Sequence, residues 1–164
     1  MFVHHVPPIR VREATLADAP VLAELNAEFN GPEVRGDQTA QRLTQCADLE
    51  RALIAEVDAV AVGFASVRIV PALADDHPHA TLTELFVRPA WRRRGIGRSL
   101  VEHAEARARA ADAENLALLT SLDNHVAQAF YRGLGYRDWA LALRRSLRDA
   151  AGVVPATREK DGNG

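Results

Sequence analysis

The chain has one cysteine, Cys46, and one lysine, Lys160, among its 164 residues. A lone cysteine excludes an internal disulfide framework and suits a reducing cytoplasm, where the protein is expected. The lack of lysine leaves arginine carrying nearly all the positive charge, which reads first as a high-GC coding bias. No apolar run reaches the ~18 residues that a membrane span needs. The first residues lack the charged-then-apolar design of a secretory signal. The formal net charge is only −2, so no general pull toward nucleic acid or a membrane surface is expected. There is no internal repeat and no low-complexity block. Neither a G-x-S-x-G elbow nor a G-K-[ST] follows a loop, so a serine hydrolase and a P-loop nucleotidase lose support.

What is present is ordinary for a globular chain. Hydrophobic residues make up 48% and charged residues 26%, and the length suits one domain with a real core. The domain is expected over 1–148, with a polar, flexible tail over 149–164. Ile9 to Glu13 alternates as an amphipathic strand. Thr15 to Asp18 reads as a capping box. The helix after it places Val21, Leu22, Leu25 and Phe29 on one face and ends at Asn30-Gly31-Pro32. A second helix is predicted from about Thr39 to Ala47, with Leu43, Cys46 and Ala47 inward. Ala52–Val57 and Val60–Val70 read as a hairpin turning at Asp58-Ala59. Further strands are predicted at Leu82–Val87 and Leu116–Thr120, and helices at Arg98–Ala111 and Asn124–Leu134. Gly135 takes the position just past the last helix. Tyr136 to Arg145 reads as one or two closing strands. Hairpins together with a β-α-β unit argue an α/β or α+β domain on a mixed sheet.

The densest signal is Val87-Arg88-Pro89-Ala90-Trp91-Arg92-Arg93-Arg94-Gly95-Ile96-Gly97-Arg98-Ser99. A strand, a glycine loop and a helix follow in that order. Such an arrangement aims backbone N–H groups and the positive end of a helix at one spot, where a phosphate or pyrophosphate is held. Glycine permits positive φ and close backbone approach, and arginine adds charge. A second block, Asn124-His125-Val126-Ala127-Gln128-Ala129-Phe130-Tyr131, runs on to Gly133-Leu134-Gly135-Tyr136. Together the blocks resemble the GNAT superfamily of acyl-CoA-dependent N-acetyltransferases. Arg92, Gly95 and Gly97 match its pyrophosphate loop. Asn124, Ala127, Phe130, Tyr131, Gly135 and Tyr136 match its later motif. The resemblance covers about residues 9 to 147. Within the superfamily the look is nearest the histone- and polyamine-acetyltransferase branch, a look shared by many bacterial members.

That resemblance implies a central mixed, mostly antiparallel sheet, splayed between two parallel strands, with flanking helices. It implies acetyl-CoA as co-substrate, with its pyrophosphate over Arg92, Arg93, Arg94, Gly95, Ile96, Gly97, Arg98 and Ser99. Main-chain groups of Phe86 and Val87 would pair with the pantetheine amides. Asn124 and Tyr131, seven residues apart, share one helix face with Ala127 and Gln128. Small Ala127 lets a slender ligand lie along the helix, and Asn124 offers it an amide, although Asn124 also suits a plain N-cap. Tyr131 sits where a phenol can donate to a departing thiolate.

The acceptor is expected to be a primary amine on a small molecule or peptide, attacked without a covalent enzyme intermediate because Cys46 lies outside both motifs. Glu84 is the obvious carboxylate to take its proton or to hold a cationic acceptor. Strict alternation puts Glu84 on one face with Leu82 and Phe86, and Thr81, Thr83, Leu85 and Val87 on the other. The acceptor is expected to enter over the Asn30–Asp37 and Pro71–His79 loops. Acidic Glu33, Asp37, Asp75 and Asp76 would suit a cation there, as they would suit a solvated loop. His77 and His79 share one loop without a second ligand group, and no metal is expected. His4 and His5 read as solvated, His125 as a helix-start residue, and Cys46 as a small buried hydrophobe. A homodimer is expected. The reading from another class is a non-catalytic acyl-CoA-binding sensor or interaction module.

Overall fold

Five strands and four α-helices arise from these patterns in a computed structural model that describes residues 8–31 and 36–147. The expected tail from Asp149, His4 and His5, and Glu33 lie outside the described residues. The strands are β1 (Arg10–Glu13), β2 (Glu50–Val57), β3 (Val60–Val70), β4 (His79–Val87) and β5 (Leu116–Leu118). The helices are α1 (Ala19–Asn30), α2 (Gly36–Gln45), α3 (Ile96–Ala110) and α4 (His125–Gly133). The sheet runs in the order β1-β2-β3-β4-β5, antiparallel throughout except for the parallel pair β4–β5. This is the mixed, mostly antiparallel sheet with flanking helices expected from the sequence.

The β2–β3 hairpin turns at Asp58 and Ala59, both at positive φ (50° and 63°), the backbone twist that a tight two-residue turn demands. Two β-bulges interrupt the ladders, between Ala55 and Glu56 in the β2–β3 pairing and between Ser66 and Val67 in the β3–β4 pairing. The second leaves Thr83 as an extra residue in β4, because Ser66 pairs with Glu84 while Val67 pairs with Leu82. An extra residue resets the alternation of faces. Leu82 therefore packs on the α3 side with Leu100, Val101 and Ala104, while Phe86 packs on the α1 side with Leu22, Leu25, Ile54 and Phe64. The expectation that Glu84 shares a face with both Leu82 and Phe86 is corrected on this point.

Two further contacts fix the frame. The Arg12 guanidinium joins Asp18 at 2.8 Å and Glu56 at 2.6 Å, tying β1, the 3-10 turn Leu16–Asp18 and β2 together. Arg88 reaches Glu28 at 2.9 Å and Glu24 at 3.1 Å and latches the end of β4 to α1. Other boundaries differ from expectation. Helix α3 begins at Ile96 rather than Arg98, because Gly95 at φ +83° starts the helix early. Helix α2 closes at Gln45, so Cys46 is exposed rather than buried. Strand β5 stops at Leu118. Residues 137–147 belong to no strand, since no described strand of this chain pairs with them.

Candidate active site

The N-terminus of α3 forms the first half of the site. Arg93 (φ 63°) and Gly95 (φ 83°) are both left-handed, and they turn the chain sharply into the helix. A non-glycine residue in that region costs roughly 1–3 kcal/mol, and such strain collects at binding sites. Gly95 accepts from Ser99 N–H at 3.0 Å. The amides of Ile96, Gly97 and Arg98 precede the first intrahelical bond and face outward. Neither a capping side chain nor a first-turn carboxylate occupies that end. Arg93, Arg94 and Arg98 are exposed beside it. Ile96 itself is buried in the core, so only its backbone is available.

Two loop residues do something the motif does not reveal. Arg92 donates from Nε to the Val87 carbonyl at 2.9 Å and lies 6.0 Å from the Phe86 ring centroid, clamping the end of β4. Gly97 is helical, and a Cβ there would stand 3.3 Å from Cζ of Phe130. Its smallness lets α3 meet α4. Packing thus gives this glycine a reason of its own beside the approach to a ligand that the motif suggests.

The second half is an opening in the sheet. The last β4–β5 pair is Leu82 with Leu118, after which β5 ends while β4 continues to Val87. Residues 83–87 therefore turn alternate backbone N–H and C=O groups to an unpaired edge. Helix α4 comes near the far end of β4 through Phe130, which stands, like Val87, against Gly97 of α3. Asn124 caps α4, accepting from Ala127 N–H at 3.1 Å through Oδ1, which leaves the amide Nδ2 to donate elsewhere. The capping role is thus real and does not use up the side chain. Gln128 donates to the carbonyls of Ser121 and Leu122, each at 3.0 Å, and holds the loop before α4. Tyr131 is half-buried, with ring contacts to Phe130 (5.1 Å) and Tyr136 (5.8 Å). Burial pushes its phenol up to about 12 from 10.0, so it stays a protonated donor at neutral pH. The Tyr136 hydroxyl donates to Glu105 at 3.1 Å and anchors the end of α4 on α3.

Glu84 lies on the opposite face. It lines a cavity of about 270 Å³ walled by α1, α2, β2 and β3, with Asn26, Arg42, Cys46, Glu50, Ser66 and Arg68 among its residues. Burial first, and then the Glu50 charge, raise the Glu84 carboxyl above 4.5, while Arg42 opposes them. Glu50 accepts from the Thr83 hydroxyl at 2.5 Å and from Arg68 at 2.9 and 2.7 Å. Thr83 and Glu84 both reach this side because the bulge lies at Thr83. A raised, half-buried carboxylate beside a second one that is ion-paired with Arg68 suits taking a proton from an ammonium or holding a cation.

Glu50, Arg68 and Arg42 were not singled out from the sequence. A turn at 58–59 alone would pair Glu50 with Val67. The β2–β3 bulge shifts the register by one and gives Arg68 instead. The cavity opens between α1 and α2, and no described residue of the 30–37 or 71–79 loops, over which the acceptor is expected to enter, lines it. His77 turns away to the Asp112 carbonyl at 3.0 Å, and its pKa is raised chiefly by that hydrogen bond. Among the described residues no three His, Cys, Asp or Glu side chains gather as metal ligands.

Comparison with known proteins speaks to the family and the fold. A profile of the acetyltransferase (GNAT) family matches residues 19–136. An aminoglycoside N(6′)-acetyltransferase type 1 of Stenotrophomonas maltophilia is 32% identical over 134 residues, spanning 78% of this chain and 86% of the relative. Among solved structures, an aminoglycoside N-acetyltransferase, AAC(6′)-Iy, in complex with CoA superposes with a TM-score of 0.77 at 22% identity. It covers 90% of this chain and all of that one. A ribosomal-protein-alanine N-acetyltransferase from Brucella melitensis gives 0.71 at 22% identity, over 85% and 100%. At that identity the two structures speak for the fold alone.

Proposed function

The chain belongs to the GNAT family of acetyltransferases, and from that premise we propose that it acetylates a cationic primary amine by direct transfer. Acetyl-CoA supplies the activated acetyl group as a thioester. The observation that carries the reading is the two-sided opening at the end of β4. Tyr131 lies on the α3–α4 side and the Glu84 cavity on the α1–α2 side, with the unpaired edge of residues 83–87 between them.

Each residue then has a task. The free amides of Ile96, Gly97 and Arg98 and the charges of Arg93, Arg94 and Arg98 suit a pyrophosphate. The edge of β4 at Phe86 and Val87 suits the pantetheine amides, and Asn124 and Ala127 bound the same channel from α4. Arg92 joins in by positioning the Val87 carbonyl. The acceptor nitrogen must be neutral to attack, and Glu84, directly or through water, takes its proton. As the nitrogen–carbon bond forms and the carbon–sulfur bond breaks, the Tyr131 hydroxyl donates to the leaving sulfur.

The acceptor class rests on Glu84, since Arg68 already takes up the charge of Glu50. The Stenotrophomonas maltophilia relative is named for acetylating an aminoglycoside. The sequence look of the histone and polyamine branch leads to the same chemistry, an amine on a polycation. The lone exposed thiol of Cys46 supports a reducing, cytoplasmic setting. The test is release of free thiol from acetyl-CoA across polyamines, aminoglycosides, amino acids and peptides. Turnover with at least one cationic amine is expected. Tight CoA binding with no turnover on any member would replace the enzyme by an acyl-CoA-binding module.

A further inference from the structure

The cavity on the α1–α2 side carries charges of both signs. Among the described residues that line it, the charged ones are Glu50, Glu84, Arg42 and Arg68. Two of these answer each other. The Arg68 guanidinium donates to Glu50 Oε2 through two nitrogens, at 2.9 and 2.7 Å, and the Thr83 hydroxyl donates to the other Glu50 oxygen at 2.5 Å. Those bonds take most of what the Glu50 carboxylate can accept.

Glu84 and Arg42 remain, one charge of each sign. They come from different walls. Glu84 stands half-buried on the floor formed by β4, and Arg42 comes from α2 and is exposed at the rim. Their charges act on each other across the cavity. Among the described residues no carboxylate forms an ion pair with Arg42. Asn26 adds a second donor on the helical side. Its Oδ1 accepts from Asn30 at 2.8 Å, which leaves its Nδ2 hydrogens for the cavity that it lines. The floor therefore offers a carboxylate, and the helical wall offers a cation and an amide donor.

We infer that the acceptor is an amine that also carries a carboxylate, and that Arg42 selects it. The ammonium end lies on Glu84, beside the open edge of β4, and the carboxylate end lies on Arg42 and Asn26. This rests on the reading of the cavity as the acceptor site and narrows it. A polycation is the poorer match, because a second ammonium would face the Arg42 guanidinium. A carboxylate in the same place gains charge-assisted hydrogen bonds from a planar fork of donors. The cavity volume of about 270 Å³ lies at the low end of ligand pockets, which begin near about 300 Å³, and suits a body the size of a free amino acid.

Matched pairs that differ only in the carboxylate test this: lysine against cadaverine, ornithine against putrescine, and γ-aminobutyrate against propylamine. Release of free thiol from acetyl-CoA gives kcat/KM for each. The carboxylate member should be favoured roughly tenfold or more in at least one pair, with no amine favoured over its amino acid. Arg42→Gln should raise KM for the amino acid and close the gap within the pair, and Arg42→Lys should keep part of it. Calorimetric CoA affinity and the melting temperature should not move, since Arg42 is exposed and far from the α3 terminus in the chain. Amines that match or outrun their amino acids overturn the inference while the acetyltransferase reading stands, and so does a preference that survives Arg42→Gln. If no amine turns over, the acetyltransferase reading fails, and titration of the same pairs into the CoA-bound protein decides the charge match by itself. Tighter binding of the amino acid that is lost in Arg42→Gln upholds it, and equal or weaker binding overturns it.

Discussion

Tyr131 and Glu84 are tuned in the same direction by burial, with different consequences. A phenol raised to about 12 is protonated at every working pH and has a proton to donate. Tyr131→Phe should therefore lower kcat on the order of 10²–10⁴-fold, the usual worth of general-acid help, while acetyl-CoA affinity changes little. Single-turnover kinetics beside calorimetric CoA binding check this, and an unchanged chemical step would remove Tyr131 from the reaction. A carboxylate raised above its ordinary value is a stronger base, but fewer molecules carry it ionised at low pH. If Glu84 takes the amine proton, Glu84→Gln should abolish the low-pH limb of kcat/KM and slow the reaction. If it only holds a cationic acceptor, KM should rise and the pH profile keep its shape. The linkage sign gives a second readout. The folded state holds the Glu84 proton more tightly than the unfolded chain, so stability falls as pH rises through and above the ordinary carboxylate range. Glu84→Gln should consequently raise the melting temperature at neutral pH and have little effect in acid. Both tyrosine motif and carboxylate were visible in the sequence. Glu50, whose charge adds to the burial that raises Glu84, was not, because it comes from a different strand.

At the scale of elements, two register faults and one close contact shape the site. The bulge at Thr83 sends Glu84 to the cavity face, although strict alternation would have kept Leu82 beside it. Gly97 lets α3 approach Phe130 of α4 to within contact. Gly97→Val should destabilise the fold by about 1–3 kcal/mol, the range for overpacking. It should also weaken CoA binding, because the outward amides of α3 move with the helix. Thermal melting and calorimetry together measure the two effects. Adding Phe130→Ala to make room should recover part of the lost stability. A Gly97→Val protein as stable as its parent would contradict the contact. The glycine itself was legible as a motif position. Its reason was not, since Phe130 lies 33 positions later in the chain.

Across the whole molecule, the proposed site depends on the place where the sheet opens. The pairing of β5 ends at Leu118 and β4 runs on alone, so a ligand can be gripped by α3 at one end, by a strand edge in the middle and by α4 alongside. A ligand that binds only this assembled arrangement stabilises it by mass action. At a hundredfold excess over its dissociation constant, CoA should add about 2.7 kcal/mol, which raises the melting temperature by several degrees. ATP at the same concentration should give a much smaller shift. Equal shifts would point to a general nucleotide site.

The sequence by itself determined the periodic elements, the tight turn at Asp58-Ala59, the helix start after a glycine loop and the N-cap at Asn124. These depend on neighbours within a few positions, where propensity, capping and turn geometry act. It also carried the family motifs at Arg92 to Gly97 and Asn124 to Tyr136. Only the tertiary structure decided which face Glu84 occupies, that Arg92 clamps Val87 and that Cys46 is exposed. Those outcomes hang on bulges, strand ends and contacts between distant segments. A one-residue change of register reverses every side chain beyond it, and no local pattern records where that change falls.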